Sequence, residues 1–204
     1  MNNIADIGVN TGVFLVTLVL AVLFFRKDGK WDAGRGKYAF RFFTCQSNVL
    51  CAAACLLTAV GAAGGGEIPV WIRIVKFVGT ASVTVTMLTV FLFLAPSVGK
   101  GWVKVLLTGK PSDLFMHLIT PALALVSFLV FERRGMGFGQ ALWGMLPVIL
   151  YGILYIYKTQ FAAPEKRWDD FYGFNRGGKW PVSLACMLTG TFLICMGLMA
   201  LQNV

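Results

Sequence analysis

The sequence predicts an all-α polytopic membrane protein, a bundle of six transmembrane helices that forms one domain over residues 1–204. Three observations predict this fold. The chain is 57% hydrophobic and only 13% charged, whereas about a quarter of the residues in a soluble domain are charged. Six apolar stretches approach the roughly 20 residues that a membrane-crossing helix needs. These stretches lack the period-two alternation of membrane strands, and in lipid a helix pairs its own backbone groups.

The six predicted spans follow one another with loops between them. The N-terminus lacks the basic region of a secretory signal, so the first apolar stretch is expected to remain as a span. The run of small residues at 61–66 marks a tight link between the second and third spans, and charged loops separate the others. The predicted spans are Val9–Phe25, Ala39–Ala62, Ile68–Leu94, Leu114–Phe131, Gln140–Tyr157 and Pro181–Leu201.

Positive charge is concentrated on one side of the predicted membrane. Of the 18 Lys and Arg residues, all but four fall in the first, third and fifth loops. The positive-inside rule therefore predicts that these loops are cytoplasmic and that both termini lie outside. The net charge of +9 follows from these loops, so anionic lipid headgroups are an expected partner and nucleic acid is not. The four residues on the opposite side are Arg73, Lys76, Arg133 and Arg134.

A polar stripe follows one face of the second span. Its members recur at helical spacing, which is typical of a contact face between membrane helices. The amide side chains of Gln46 and Asn48 are costly in hydrocarbon without partners, so the same stripe is also a candidate site. Thr44 is expected about seven residues into this helix, which places it roughly 10 Å below the cytoplasmic edge. The stripe consists of Thr44, Ser47, Asn48, Cys51, Cys55 and Thr58.

The single histidine, His117, is predicted at nearly the same depth as Thr44, near the start of the fourth span. A lone histidine in a helical bundle is often only a satisfied polar residue, but an ionisable residue in the membrane favours a function. Neutral imidazole can take the proton of a Thr hydroxyl and so create a nucleophile. Asp113, one turn earlier, could hold the imidazole in one tautomer. A lone histidine without other ligands at its depth argues against a metal site.

Tyr151, Tyr155 and Lys158 share a face of the fifth span. Tyrosines in this position are most often interfacial anchors, but they could also donate to an oxyanion or a substrate carboxylate. The five cysteines lie in apolar stretches without a paired motif. They are interpreted as small membrane-helix residues and not as disulfides or metal ligands.

The stretches "RFFT" at the start of the second span and "MHLITP" in the fourth resemble the androgen-induced protein family. That family includes the androgen-dependent regulator of tissue factor pathway inhibitor. The resemblance implies a six-span threonine hydrolase that cleaves fatty acid esters of hydroxy fatty acids, with Thr44 as nucleophile and His117 as base. "FTCQSN" resembles bacterial relatives, which implies a bacterial cytoplasmic membrane. The fifth-loop stretch "RWDDFYGFNRGGKW" departs from the Trp–x–Tyr–Pro type expected there.

The leading prediction is therefore an intramembrane hydrolase of lipid esters that needs no cofactor. Gln46, Ser47, Asn48 and a tyrosine are the candidates for the oxyanion donor. Two alternatives stay open. One is a small transporter or proton-coupled carrier with His117 and Asp113 as its proton site, although the chain has no convincing repeats. The other is a non-catalytic membrane scaffold whose polar stripe only packs helices.

Overall fold

The computed structural model describes residues 4–94, 96, 106 and 111–204. Within these residues, six helices are long and apolar enough to cross a membrane, which confirms the predicted all-α six-helix fold. A short helix, α2, precedes the second of them. The helices are α1 (Ile4–Phe24), α2 (Ala33–Ala39), α3 (Phe43–Ala63), α4 (Val70–Phe93), α5 (Ser112–Phe131), α6 (Phe138–Phe161) and α7 (Trp180–Gln202).

Most of the predicted spans agree with the helices to within a few residues, but the second does not begin where it was predicted. The backbone of Phe42 is extended, with φ −88° and ψ 135°, and it separates α2 from α3. The prediction of one continuous helix from Ala39 was therefore wrong. Thr44 is the second residue of α3 and does not lie about seven residues into a longer helix. It is therefore in the first turn, where backbone N–H groups lack intrahelical partners.

The first loop is folded and contains the small amount of strand in the described chain. Strands β1 (Arg26–Lys27) and β2 (Lys30–Trp31) pair antiparallel across a two-residue turn. Asp28 and Gly29 form this turn with φ values of 51° and 77°, the left-handed geometry that an Asp-Gly hairpin supplies. Asp32 then caps α2 by accepting a hydrogen bond from the Arg35 N–H at 2.9 Å. Loop 1 therefore leads the chain directly into α2 and α3.

The helices α3 and α4 form the centre of the bundle. Buried residues make up 56% of α3 and 61% of α4, against 17% of α1 and of α7. The two helices approach closely at Gly79, where an added Cβ would lie 2.8 Å from the Cα of Cys51. Small residues at such contacts are what allows membrane helices to pack tightly. One hydrophobic core joins α4 to α5, α6 and α7 around Phe77, and a second joins α1, α3, α4 and α5 around Val83.

Helix α5 is irregular at the position of the histidine. A π turn spans Phe115–Ile119, and the N–H of Thr120 bonds to the carbonyl of Phe115. Pro121 has no N–H to donate to the carbonyl of His117, which accounts for a widened turn at this point. Such π turns rotate a side chain out of the regular helical series and occur frequently at functional sites.

Lys76 was counted among the basic residues of the side opposite the basic loops; it lies in the second turn of α4 and is fully buried. Hydropathy alone did not reveal that the bundle supplies polar partners for this ammonium group. The three basic residues assigned to the third loop lie outside the described residues; they are Lys100, Lys104 and Lys110.

Candidate active site

The first turn of α3 carries Thr44, and two side chains stabilise it. The phenol oxygen of Tyr172, from the fifth loop, accepts the N–H of Phe43 at 3.1 Å. The amide of Gln46 donates to the carbonyl of Phe40 at 2.8 Å and so fixes the bend before the helix. Thr44 therefore lies on a rigid helix start, and its side chain is partly exposed.

Thr44 and His117 meet across the contact between α3 and α5. The Thr44 Oγ1 is 3.4 Å from the Nε2 of His117, while the Nδ1 of the same ring is 3.0 Å from the main-chain oxygen of Asp113. A carbonyl oxygen can only accept, so the hydrogen of the neutral imidazole belongs on Nδ1. Nε2 is then left as an acceptor for the Thr44 hydroxyl. Asp113 was predicted to hold the imidazole in one tautomer through its carboxylate. In the structure, its main-chain carbonyl makes this contact with the ring.

The other polar residues of the stripe hold the two helices in place. The amide of Asn48 donates to the carbonyl of Thr44 at 2.9 Å and to the carbonyl of Met116 at 3.1 Å. Ser47 Oγ donates to the carbonyl of Thr44 at 3.1 Å and lies 2.9 Å from the hydroxyl of Thr86. Both side chains are buried. Their described contacts connect α3 with α4 and α5, so their hydrogens are directed to these neighbours and away from the Thr44 hydroxyl.

Tyr172 is the site residue that the sequence did not single out. Its hydroxyl interacts with the side chains of Thr44 and Tyr151 in addition to the N–H of Phe43. Burial raises the pKa of the Tyr172 phenol to about 12, although these hydrogen bonds act in the opposite direction. The phenol therefore stays protonated near neutral pH and can donate one hydrogen beside the Thr44 oxygen.

The two candidate tyrosines of α6 have different surroundings. Tyr151 donates to the carbonyl of Arg41 at 2.7 Å and contacts Tyr172, with ring centroids 6.4 Å apart. It therefore lies next to the site. Tyr155 donates to Asp170 at 2.8 Å, and its oxygen accepts the N–H of Tyr172 at 3.0 Å. Its described contacts make Tyr155 an anchor for the fifth loop, as expected of an interfacial tyrosine and not of a group that binds substrate.

Asp170 organises the fifth loop so that Tyr172 reaches α3. Its carboxylate accepts the N–H groups of Phe174 at 2.9 Å and Asn175 at 2.8 Å. Phe171 packs on Phe42, with ring centroids 4.4 Å apart. The loop is thus fixed to α6 by polar contacts and to the α2–α3 bend by aromatic ones. The only sequence signal for this arrangement was the aromatic and acidic composition of "RWDDFYGFNRGG".

A second polar cluster lies near the other end of the bundle, and the sequence analysis did not predict it. Lys76 forms an ion pair with Glu132 at 3.0 Å, and Asp6, Asn10 and Ser127 complete the hydrogen-bonded group. Ten residues of helix separate His117 from Ser127, which corresponds to about 15 Å. This cluster is therefore distinct from the Thr44–His117 site.

The arrangement around Thr44 is suited to nucleophilic chemistry. It combines a hydroxyl, an imidazole whose near nitrogen is an acceptor, and a protonated phenol beside the same oxygen. Among the described residues, no three His, Cys, Asp or Glu side chains come together as a metal site would require. No protein-family model, curated protein or solved structure matches this chain.

Proposed function

We propose that this protein is an intramembrane hydrolase of lipid esters, of the type that cleaves fatty acid esters of hydroxy fatty acids. The resemblance to the androgen-induced protein family suggested this substrate class. The observation that carries the proposal is the chain of contacts from Thr44 Oγ1 to His117 Nε2 at 3.4 Å, and from His117 Nδ1 to the Asp113 carbonyl at 3.0 Å. Catalytic hydrogen bonds are often long before substrate binds, so 3.4 Å is compatible with this role.

In the proposed mechanism, His117 Nε2 takes the hydroxyl proton while Thr44 Oγ1 attacks the ester carbonyl carbon. The oxyanion that forms accepts a hydrogen bond from the Tyr172 phenol. The C–O bond to the alcohol then breaks, and the imidazolium gives its proton to the leaving alkoxide. The product of this half-reaction is an acyl ester on Thr44. The Asp113 carbonyl keeps Nδ1–H in position and so holds Nε2 toward Thr44.

Deacylation uses the same residues with water in place of the alcohol. His117 Nε2 takes a proton from water, and the resulting hydroxide attacks the acyl carbon. Collapse of the intermediate releases the fatty acid and returns the proton to Thr44 Oγ1. The products are one fatty acid and one hydroxy fatty acid, and no cofactor takes part.

Substrate access from the cytoplasmic leaflet is part of the proposal. Thr44 and His117 are both partly exposed, whereas Ser47 and Asn48 behind them are buried. A lipid ester is already dissolved in the acyl region of the bilayer. It therefore reaches a reactive pair at a helix surface without leaving the membrane. This proposal assigns the Thr44 end of the bundle to the cytoplasmic side of a bacterial membrane, in accord with the positive-inside rule.

Anionic lipid headgroups are the proposed partners of the same membrane face. The guanidinium of Arg41 lies over the ring of Tyr38 at 5.4 Å and over that of Trp168 at 5.7 Å. Aromatic faces hold a guanidinium in place and leave its edge N–H groups directed outward, toward a phosphate or carboxylate. The basic hairpin of the first loop adds charge beside it. Binding to vesicles that contain phosphatidylglycerol, but not to neutral vesicles, would support this partner.

The test of the hydrolase is covalent labelling of the purified protein in detergent with a fluorophosphonate probe. Label is expected on Thr44, with complete loss in Thr44→Ala and a large loss in His117→Ala. Ser47→Ala is the matched control, because it removes a neighbouring hydroxyl whose hydrogen bonds go to the Thr44 carbonyl and the Thr86 hydroxyl and not to the Thr44 side chain. Undiminished labelling of Thr44→Ala, or label on Ser47, would contradict the proposal and favour the carrier or scaffold alternatives.

A further inference from the structure

The buried cluster at the terminal face, meaning the end of the bundle where α1 begins and α7 ends, holds one more acid than base. Lys76 is 0% exposed and pairs with Glu132 at 3.0 Å. Its ammonium also donates to the side-chain amide oxygen of Asn10 and to Ser127 at 3.2 Å. This cation is therefore surrounded by oxygens from α1 and from the C-terminal end of α5, and it is fully engaged by them.

Asp6 is the second carboxyl of the cluster, and it shares its donors with Glu132. The amide nitrogen of Asn10 lies 2.8 Å from Asp6 Oδ1 and 3.2 Å from Glu132 Oε1. Ser127 Oγ is also within hydrogen-bond reach of both acids. The two carboxyl oxygens are consequently no more than about 6 Å apart, a range in which like charges disfavour double ionisation.

The charge balance follows from these contacts. One ammonium cannot neutralise two ionised carboxylates, and an uncompensated charge in the low-dielectric interior of the bundle costs several kcal/mol. Cys55 accepts from Lys76 at 3.3 Å and brings no charge as a thiol. Arg73 and Arg134 line the cavity next to the two acids, but within the described residues neither forms an ion pair with Asp6 or Glu132. The charged or titratable groups that face the cluster are Asp6, Cys51, Cys55, Arg73, Lys76, Glu132 and Arg134.

A cavity connects Asp6 and Glu132 with the terminal face. Its volume is about 30 Å³, and its lining includes both acids together with Arg73 and Gln202. A cavity of this size, with charged side chains in part of its lining, has room for about two water molecules. The Nε of Arg73 is a buried nitrogen to which no described residue offers an acceptor, which points to water in the cavity. The acids can thus exchange protons with the solvent at this face.

We propose that Asp6, with Asn10, Lys76, Ser127 and Glu132, forms a proton-binding site that is served through this cavity. Asp6 holds the proton and is neutral, while Lys76 and Glu132 form the charged pair. The site is independent of the Thr44–His117 chemistry, since about 15 Å of helix separates the two. With this site, the protein can take up a proton at the terminal face. The sequence analysis had named only His117 and Asp113 as a candidate proton site.

Infrared spectroscopy of the full chain in nanodiscs tests the proposal, because a protonated carboxyl has its own carbonyl stretching band. The wild-type protein should show this band at neutral pH, and Asp6→Asn, which is close to isosteric, should remove it. Glu67→Gln, in an exposed loop, is the matched control and should leave the band unchanged. A wild-type spectrum without the band, or a band that survives Asp6→Asn, would overturn the proposal.

Two further variants keep the test decisive if Asp6→Asn does not fold. In Glu132→Gln, Asp6 becomes the carboxylate that pairs with Lys76, so the band should disappear. In Lys76→Met the ammonium is lost, and the band should roughly double as Glu132 also takes up a proton. The opposite responses would contradict the assignment of the proton to Asp6. In D₂O the wild-type band should shift promptly, and a band that fails to shift would contradict access through the cavity.

Discussion

Removal of a single oxygen atom tests whether the fifth loop belongs to the reactive site. Tyr172→Phe keeps the ring, and with it the packing on Phe171, but it deletes the hydroxyl that accepts the Phe43 N–H and interacts with Thr44. A buried N–H left without an acceptor costs about 1–3 kcal/mol of stability. Loss of a hydrogen-bond donor to the oxyanion lowers the rate by about 10²–10³-fold. The variant should therefore be moderately less stable and far slower.

The assay measures the rate at which the fluorophosphonate labels Thr44, together with thermal unfolding in the same detergent. Tyr151→Phe is the matched control, since it loses a hydroxyl that donates to the Arg41 carbonyl at 2.7 Å. It should lose a similar amount of stability with a smaller effect on labelling. Equal labelling rates in wild type and Tyr172→Phe, at a temperature where both are folded, would refute the role assigned to this phenol.

Three other predictions concern the Lys76–Glu132 ion pair, the fifth loop and the Tyr172 phenol. Lys76→Met should lower stability by about 3–5 kcal/mol in detergent unfolding, because Glu132 loses its cation and folding then requires this carboxylate to take up a proton. Lys76→Met/Glu132→Gln should recover part of this loss, and a double variant that is less stable than the single one would contradict the reasoning. Asp170→Asn should increase proteolysis of the fifth loop, since the carboxylate binds Tyr155 and two N–H groups; unchanged proteolysis would argue against its organising role. Because the Tyr172 pKa is raised to about 12, the neutral phenol should persist as pH rises, and a fall in labelling that begins near its ordinary pKa of about 10 would contradict this.

Hydropathy was sufficient to predict the six helices, because the cost of exposing backbone and polar groups to lipid accumulates residue by residue. The same local reasoning predicted that Thr44 and His117 would meet, since both lie near the start of spans that enter the membrane from the same side. Their separation of 3.4 Å agrees with that geometric prediction. The catalytic roles of the two residues remain predictions, as does the family to which their motifs are similar.

The local details of the site were less predictable. The second span was predicted to start at Ala39, and "AFRFF" contains no Gly or Pro that would indicate a break. The extended backbone at Phe42 depends instead on Gln46, which binds the Phe40 carbonyl, and on Phe171, which packs against the Phe42 ring. Phe171 is more than 100 positions away from Phe42 along the chain. A local propensity cannot include such a contact.

The sequence by itself determined the class of the protein, the number of its spans and the face of α3 that is polar, since these follow from composition and helical period. Only the tertiary structure decided which groups share a hydrogen bond. Tyr172 comes from a loop whose path Asp170 and Tyr155 fix, and Lys76 is buried because Asn10, Ser127 and Glu132 surround it. Polar groups in a membrane bundle are stable only in pairs, and the pairs are made between helices that are distant in sequence.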